Sequence, residues 1–300
     1  MTLKHAFLIT AHGGWEQLEL LLKQIDHPNH DIFIHVDAKV KEYPKKALEE
    51  ATKFSKVCVF SKCKVFWGGT LQTVAEIYLF KKAREYGPYD YYHMMSGQDL
   101  LLVSNTKFDD FFETNNGKEF IEFKNDQNEH DPEIKRRTKL YHFLQNYRRR
   151  FKFQPLNEVF IFFERCSLAL QLILHVNRVK NLDWEIKLGP NWVSITDDLV
   201  VTLLNEEEKL EKIFKWTNCS DELMVQTIAY NFGFMDRLYH NPFGEDNMRL
   251  VDFNRGRNGS PYTFTSNDYD MIMSSKALIA RKFSLDTDSE IVDRIIEETR

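Results

Sequence analysis

Five short segments carry side chains that could act on a substrate. His35-Val36-Asp37 ends an apolar run in a carboxylate. At a strand end, an Asp accepts hydrogen bonds from a ribose or a base, although alone Asp37 reads first as a turn cap. Ser96-Gly97-Gln98-Asp99 ends another apolar run. Its glycine lets a ligand approach the backbone, with Asp99 pointing at it. Cys219-Ser220-Asp221-Glu222 opens a helical pattern. Carboxylates there complement the helix dipole, and such a terminus beside a cleft can also hold a single general base. Arg249 and the pair Arg281-Lys282 are cations that, if they converge on a cleft, neutralise a leaving diphosphate in place of a metal. Each alone reads as a surface charge.

Competing chemistries lack their residues. Gly13-Gly14 is no dinucleotide fingerprint, and no Walker A, GxSxG or HExxH occurs. Cys58, Cys63, Cys166 and Cys219 form no CxxC pair, which argues against a zinc ribbon or a disulfide scaffold, and Cys166 reads as core. Asp268-Tyr269-Asp270 and Asp286-Thr287-Asp288 have the DxD spelling of a diphosphate-metal site but look like exposed helix starts. No metal site is expected.

Positioning these residues requires a sheet. Residues 6–11, 31–36, 57–60, 90–95 and 120–123 read as strands, and 15–25, 43–51 and 70–86 as helices between them. That alternation predicts an α/β fold with a mostly parallel, doubly wound sheet flanked by helices. Ligands of such sheets bind beyond the C-terminal strand ends, which places His12, Asp37, Ser96 to Asp99 and Glu122 near one rim. Farther on, 135–152 is rich in Lys and Arg, and 158–180 reads as a long apolar helix with a basic end. The plain expectation is a solvated basic face followed by a core helix; the alternative is a surface that touches anionic lipid or an acidic carrier. Residues 192–195, 249–253 and 279–283 read as extended, and 197–204, 220–230, 268–274 and 288–297 as helical. No repeat or linker divides the chain, so one domain over 1–300 is expected.

Composition narrows the classes. Of 300 residues 43% are hydrophobic, enough for a core and too many for a disordered chain. A net charge of −5 supplies no global field for nucleic acid. No run reaches the roughly 20 apolar residues of a membrane span. The opening MTLKHAFLITAHGG is too short for a signal peptide, so a reduced, cytosolic chain is expected, and the sequons at Asn218 and Asn258 read as chance.

Seven segments in order, FLITAH, IFIHVDAK, YYHMMSGQDLLL, LGPNWVSIT, CSDELMVQTI, MRLVDF and ALIARKF, resemble the core-2/I-branching β-1,6-N-acetylglucosaminyltransferase family, which also includes peptide O-xylosyltransferases. The look is closest to bacterial members that lack the membrane anchor. The resemblance implies a GT-A-type, inverting, metal-independent glycosyltransferase, with 1–125 as nucleotide-binding half and 126–300 as acceptor and catalytic half. It implies Glu222 as catalytic base, and Arg249 and Lys282 on the departing UDP, with Arg255 or Arg257 as substitutes for Arg249. His12, His35, Val36 and Asp37 would line the uridine pocket, with Asp99 near the sugar. Glu122 and Arg136 would meet the acceptor, and no metal or other cofactor is implied. The expected donor is UDP-GlcNAc and the acceptor a saccharide or lipid-linked glycan of a bacterial surface polymer, with peripheral contact at the inner membrane face through 148–180. UDP-xylose or UDP-galactose is the alternative donor, and a non-catalytic saccharide-binding protein the alternative class.

Overall fold

The computed structural model describes residues 2–124, 131–147, 153–257 and 259–300. The arginines at 148–150 and the sequon asparagine at 258 lie outside them. The described strands are β1 (His5–Ala11), β2 (His30–Val36), β3 (Val57–Phe60), β4 (Tyr91–Ser96), β5 (Asp99–Leu101), β6 (Ser194–Thr196), β7 (Arg249–Val251) and β8 (Ile279–Arg281). The main sheet has the order β3-β2-β1-β4-β6. Its first four strands are parallel, and β6 closes the edge antiparallel to β4. The mostly parallel α/β architecture is therefore as expected.

Strand β1 shows why the apolar runs become strands. Successive side chains alternate between faces. Phe7 and Ile9 pack with Leu18, Leu21 and Phe108 on one side, whereas Ala6 and Leu8 pack with Phe33, Leu79 and Ile228 on the other. Burial on both faces explains a near-continuous run in place of polar alternation. Helices α1 (Trp15–Gln24), α2 (Lys45–Glu49) and α3 (Thr70–Tyr86) make the crossovers, and α4 (Asn105–Thr114), capped by Ser104, covers the first face. Next come α5 (Pro132–Thr138), α6 (Gln154–Ile173), α7 (Asp197–Asn205), α8 (Glu207–Phe214) and α9 (Asp221–Asn231). The chain ends with α10 (Tyr269–Ser274) and α11 (Ser289–Glu298).

Three expectations need correction. Residues 120–123 are not a strand: Phe120 alone bridges to Ser194, and the buried Glu119 carboxylate takes both the amide and the hydroxyl of Thr196. The extended segments at 249–253 and 279–283 become β7 and β8, but their pairing with β5 into a second sheet, β5-β8-β7, is not announced by the sequence, because three-residue strands are too short to show a period or a partner. Helix α6 is not a core helix. Its buried residues are Asn157, Glu164 and Gln171, spaced seven apart on one stripe. Glu164 pairs with His142 and accepts from the Leu144 amide, and Gln171 exchanges hydrogen bonds with the Tyr141 backbone. The helix thus docks through polar groups and leaves Val159, Phe162, Phe163, Leu170, Leu172 and Ile173 exposed. Cys166 on this helix is exposed, not core.

Candidate active site

The loop 188–194, LGPNWVS, gathers Glu222, Glu122 and Arg249. The Gly189 amide donates to the Glu222 carbonyl at 2.9 Å, and the Lys124 amide to the Leu188 carbonyl at 2.9 Å. A Cβ on Gly189 would lie 2.0 Å from the Glu122 carbonyl oxygen, so only glycine allows this approach. The same loop offers the Trp192 carbonyl to Asn247, and the Val193 carbonyl and Ser194 hydroxyl to Arg249. Glu222, Glu122 and Arg249 thereby hang on one short segment.

Glu222 stands in the first turn of α9 with its side chain 38% exposed. Its Oε2 accepts from Arg137 Nη1 at 2.5 Å, and Arg137 Nη2 holds Glu133 at 2.5 Å. The adjacent Asp221 is buried; one oxygen takes Gln72 Nε2 at 2.7 Å and the other has no hydrogen-bond partner among the described residues. Burial, and then the Glu222 charge, push Asp221 up to about 7. Burial and the Asp221 charge likewise raise Glu76, whose carboxylate accepts from Asn191. Of these three carboxylates, Glu222 is the one open to solvent and therefore able to reach an incoming hydroxyl.

The cations divide. Arg249 is buried, bonded to the carbonyls of Asn247 and Val193 and to the Ser194 hydroxyl, and burial lowers it to about 10. Arg281 stacks over Trp192 at 3.7 Å and faces Asp99 at 3.4 Å, across the β5–β8 pairing that sets residues 99 and 281 opposite each other. Asp99 is spent on that contact and on the amide and hydroxyl of Ser96. Lys282 is partly exposed and donates to the Ser260 hydroxyl at 2.7 Å. Arg255 is engaged by Asp252 and Asp268, whereas Arg257 bridges through its backbone to Ser260, beside Lys282.

The residues expected to line a nucleotide pocket sit on the C-terminal rim. The Asp37 amide donates to Ala11, and the Gly97 amide to Thr10, so the exits of β1, β2 and β4 adjoin. His12 is exposed there, while Val36 is fully buried. Asp37 accepts from the amides of Lys39 and Val65 and pairs with the Lys39 ammonium, holding its own loop. His35 is buried, accepts from the Lys62 amide at 3.2 Å, and is lowered by that burial.

Glu122, the expected acceptor contact, accepts from the Asp246 amide at 2.7 Å and is pushed up to about 7, first by burial and then by the acidic pair Glu245 and Asp246. Arg136 points outward with its side chain 74% exposed. Its neighbour Arg137 turns inward instead. The signal for this was available: Ile134, Arg137 and Thr138 follow the i, i+3, i+4 spacing of one helix face. The stacking of Arg281 on Trp192 depends on a long-range pairing that no local spacing announces. Two cavities, of about 210 and 200 Å³, lie elsewhere, one beside Lys4 and Tyr89, the other beside Tyr141 and Trp216.

The family model of the core-2/I-branching enzymes matches residues 5–273. The chain belongs to the core-2/I-branching enzyme family. This core-2/I-branching chain is 21% identical to a xylosyltransferase of Ciona intestinalis over 96% of its own length and 33% of the relative's. It is 25% identical to the xylosyltransferase sqv-6 of Caenorhabditis briggsae, over 84% of this chain and 29% of that protein. It thus spans about a third or less of the curated relatives it matches. Among solved structures, apo glycosyltransferase GlyE of Streptococcus pneumoniae is similar with a TM-score of 0.41 and 12% identity, over 94% of this chain and 55% of that one. Mouse xyloside xylosyltransferase 1 gives 0.39 and 10%, over 92% and 96% of the respective chains.

Proposed function

We propose that the chain is an inverting glycosyltransferase that moves a sugar from a UDP donor to a saccharide acceptor, with Glu222 as general base. The observation that carries this reading is the half-open Glu222, oriented by Arg137 on a helix terminus, within a core-2/I-branching chain. The acceptor hydroxyl gives its proton to Glu222 as its oxygen bonds to the anomeric carbon. The bond from that carbon to the β-phosphate oxygen breaks, and UDP leaves with the electron pair. One carboxylate within hydrogen-bond reach suffices for this single displacement. Charge growing on the β-phosphate is met by Lys282, with Arg257 beside it, and by the field of the buried Arg249 and the partly buried Arg281. These cations support transfer without a divalent ion.

UDP-GlcNAc is the proposed donor, and the names of the curated relatives favour UDP-xylose as the second. We place the acceptor on a lipid-linked surface glycan, because α6 turns an apolar face outward. No helix among the described residues is long and apolar enough to cross a membrane, so this face would lie in the headgroup layer of an anionic bilayer. Calorimetry with UDP and a hydrolysis screen across UDP-sugars test the reading. UDP binding with selective turnover of one donor is expected. Glycan binding without UDP affinity would replace it by the non-catalytic alternative.

A further inference from the structure

At the opposite end of the sheet from the rim, four groups from four parts of the chain converge. His5 and His30 are the first residues of β1 and β2, Asp109 lies on α4, and His27 on the loop leading into β2. His30 Nε2 lies 2.7 Å from Asp109 Oδ1, and His5 Nε2 lies 3.7 Å from the same oxygen. His27 Nδ1 reaches the other carboxylate oxygen at 3.3 Å. The ligand atoms of His5, His30 and Asp109 all fall within 4.8 Å of one another.

Two features of this cluster call for a cation. His30 Nδ1 faces the Ile25 carbonyl at 2.9 Å. A carbonyl only accepts, so Nδ1 carries the ring proton there, and Nε2 then needs either a second proton or a metal ion between itself and the carboxylate. His5 is fully buried, and its Nε2 has no hydrogen-bond partner among the described residues although it points at Asp109. Leaving such an atom unpaired is costly, and a metal bond would satisfy it.

The surroundings suit ligation. A metal-bound histidine donates its other ring nitrogen to a carbonyl or a further acceptor. His30 does so to Ile25, and His5 Nδ1 is hydrogen-bonded to His93 Nε2 at 2.9 Å, with His93 Nδ1 in turn on the Ser194 hydroxyl at 2.8 Å. Neighbouring ligand atoms around tetrahedral zinc sit about 3.3 Å apart, given bonds of roughly 2.0–2.1 Å. The His30 and His5 nitrogens lie 2.7 and 3.7 Å from one Asp109 oxygen, on either side of that value, and with the three ligand atoms spread over up to 4.8 Å the side chains close by up to about 1.5 Å to seat the ion.

We propose that His5, His30 and Asp109, closed from the surface by the partly exposed His27, bind one zinc-class divalent ion that staples the start of β1 and β2 to α4. Imidazole with a single carboxylate selects zinc over magnesium or calcium. The staple is separate from the transfer chemistry, since β1 alone sets about 20 Å between this end and the donor rim.

The test uses the full chain, stripped with chelator and titrated with Zn²⁺ by calorimetry. One ion per chain and a raised melting temperature are expected, and Co²⁺ should give the visible absorption of a four-coordinate site. His27→Gln, at a partly exposed position that the fold tolerates, should weaken Zn²⁺ at least about tenfold, as should Asp109→Asn. His240→Gln, at the exposed His240–Asp246 pair, should change nothing. No stoichiometric binding at millimolar Zn²⁺, binding that survives both site variants, or binding lost in the His240 variant would each overturn the assignment.

Discussion

Arg137 Nη1 donates to Glu222 Oε2 at 2.5 Å, and its second amino group grips Glu133. One oxygen of the proposed base is thus fixed by a guanidinium that is itself held from behind, and the other oxygen is left to the acceptor. Arg137 is a positioning residue in this account.

Arg137→Met should therefore lower kcat on the order of tenfold to a hundredfold while leaving UDP binding unchanged, because a base displaced by about an ångström loses alignment. Steady-state kinetics with UDP calorimetry separate the two effects. A change in Kd for UDP with kcat intact would place Arg137 on the nucleotide instead.

Asp221 gives a pH signature. Its folded pKa of about 7 stands above the ordinary 3.8, with burial as first cause. Between those values the folded state holds a proton that the unfolded chain has released. The associated stability is present below about pH 4 and fades as pH rises towards 7. Asp221→Asn removes this component, so the variant should gain on the wild type in thermal melts as pH is raised from 5 to 7.5. Parallel curves would contradict the buried, partnerless oxygen.

Gly189 is a steric prediction. Any Cβ there would meet the Glu122 carbonyl at 2.0 Å and Gln226 Nε2 at 2.8 Å. Gly189→Ala should cost roughly 1–3 kcal/mol as the loop is pushed off α9. It should also depress transfer, since the Glu122 and Glu222 backbones both lean on this residue. Urea unfolding measures the first effect, and an unchanged midpoint would show the loop to be slack.

For the membrane contact, Phe162→Ser with Phe163→Ser should reduce sedimentation with anionic vesicles several-fold without lowering the melting temperature, because both rings are exposed. Neutralising the arginines at 148–150 should weaken the same binding in a salt-dependent way. Equal sedimentation of all forms would remove the lipid surface from the proposal.

How far the sequence could be read follows from burial. Strands β1 to β4 were legible because both of their faces are covered, which turns them into apolar runs such as FLIT and IFIHV. The rim followed from strand direction alone. Helix α6 departs from the plain core-helix reading because that reading turns apolar residues inward, whereas Asn157, Glu164 and Gln171 are the buried ones and the last two find partners inside. Arg281 on Trp192, and histidines 5, 27 and 30 around Asp109, are joined by tertiary pairing across long stretches of chain, and no local spacing announces them.

The most direct measurement is product formation by Glu222→Gln, followed by mass spectrometry beside UDP calorimetry on the same preparation. The account predicts a loss of about 10²–10⁴-fold in transfer, with UDP affinity essentially retained. Undiminished turnover in that variant would contradict it.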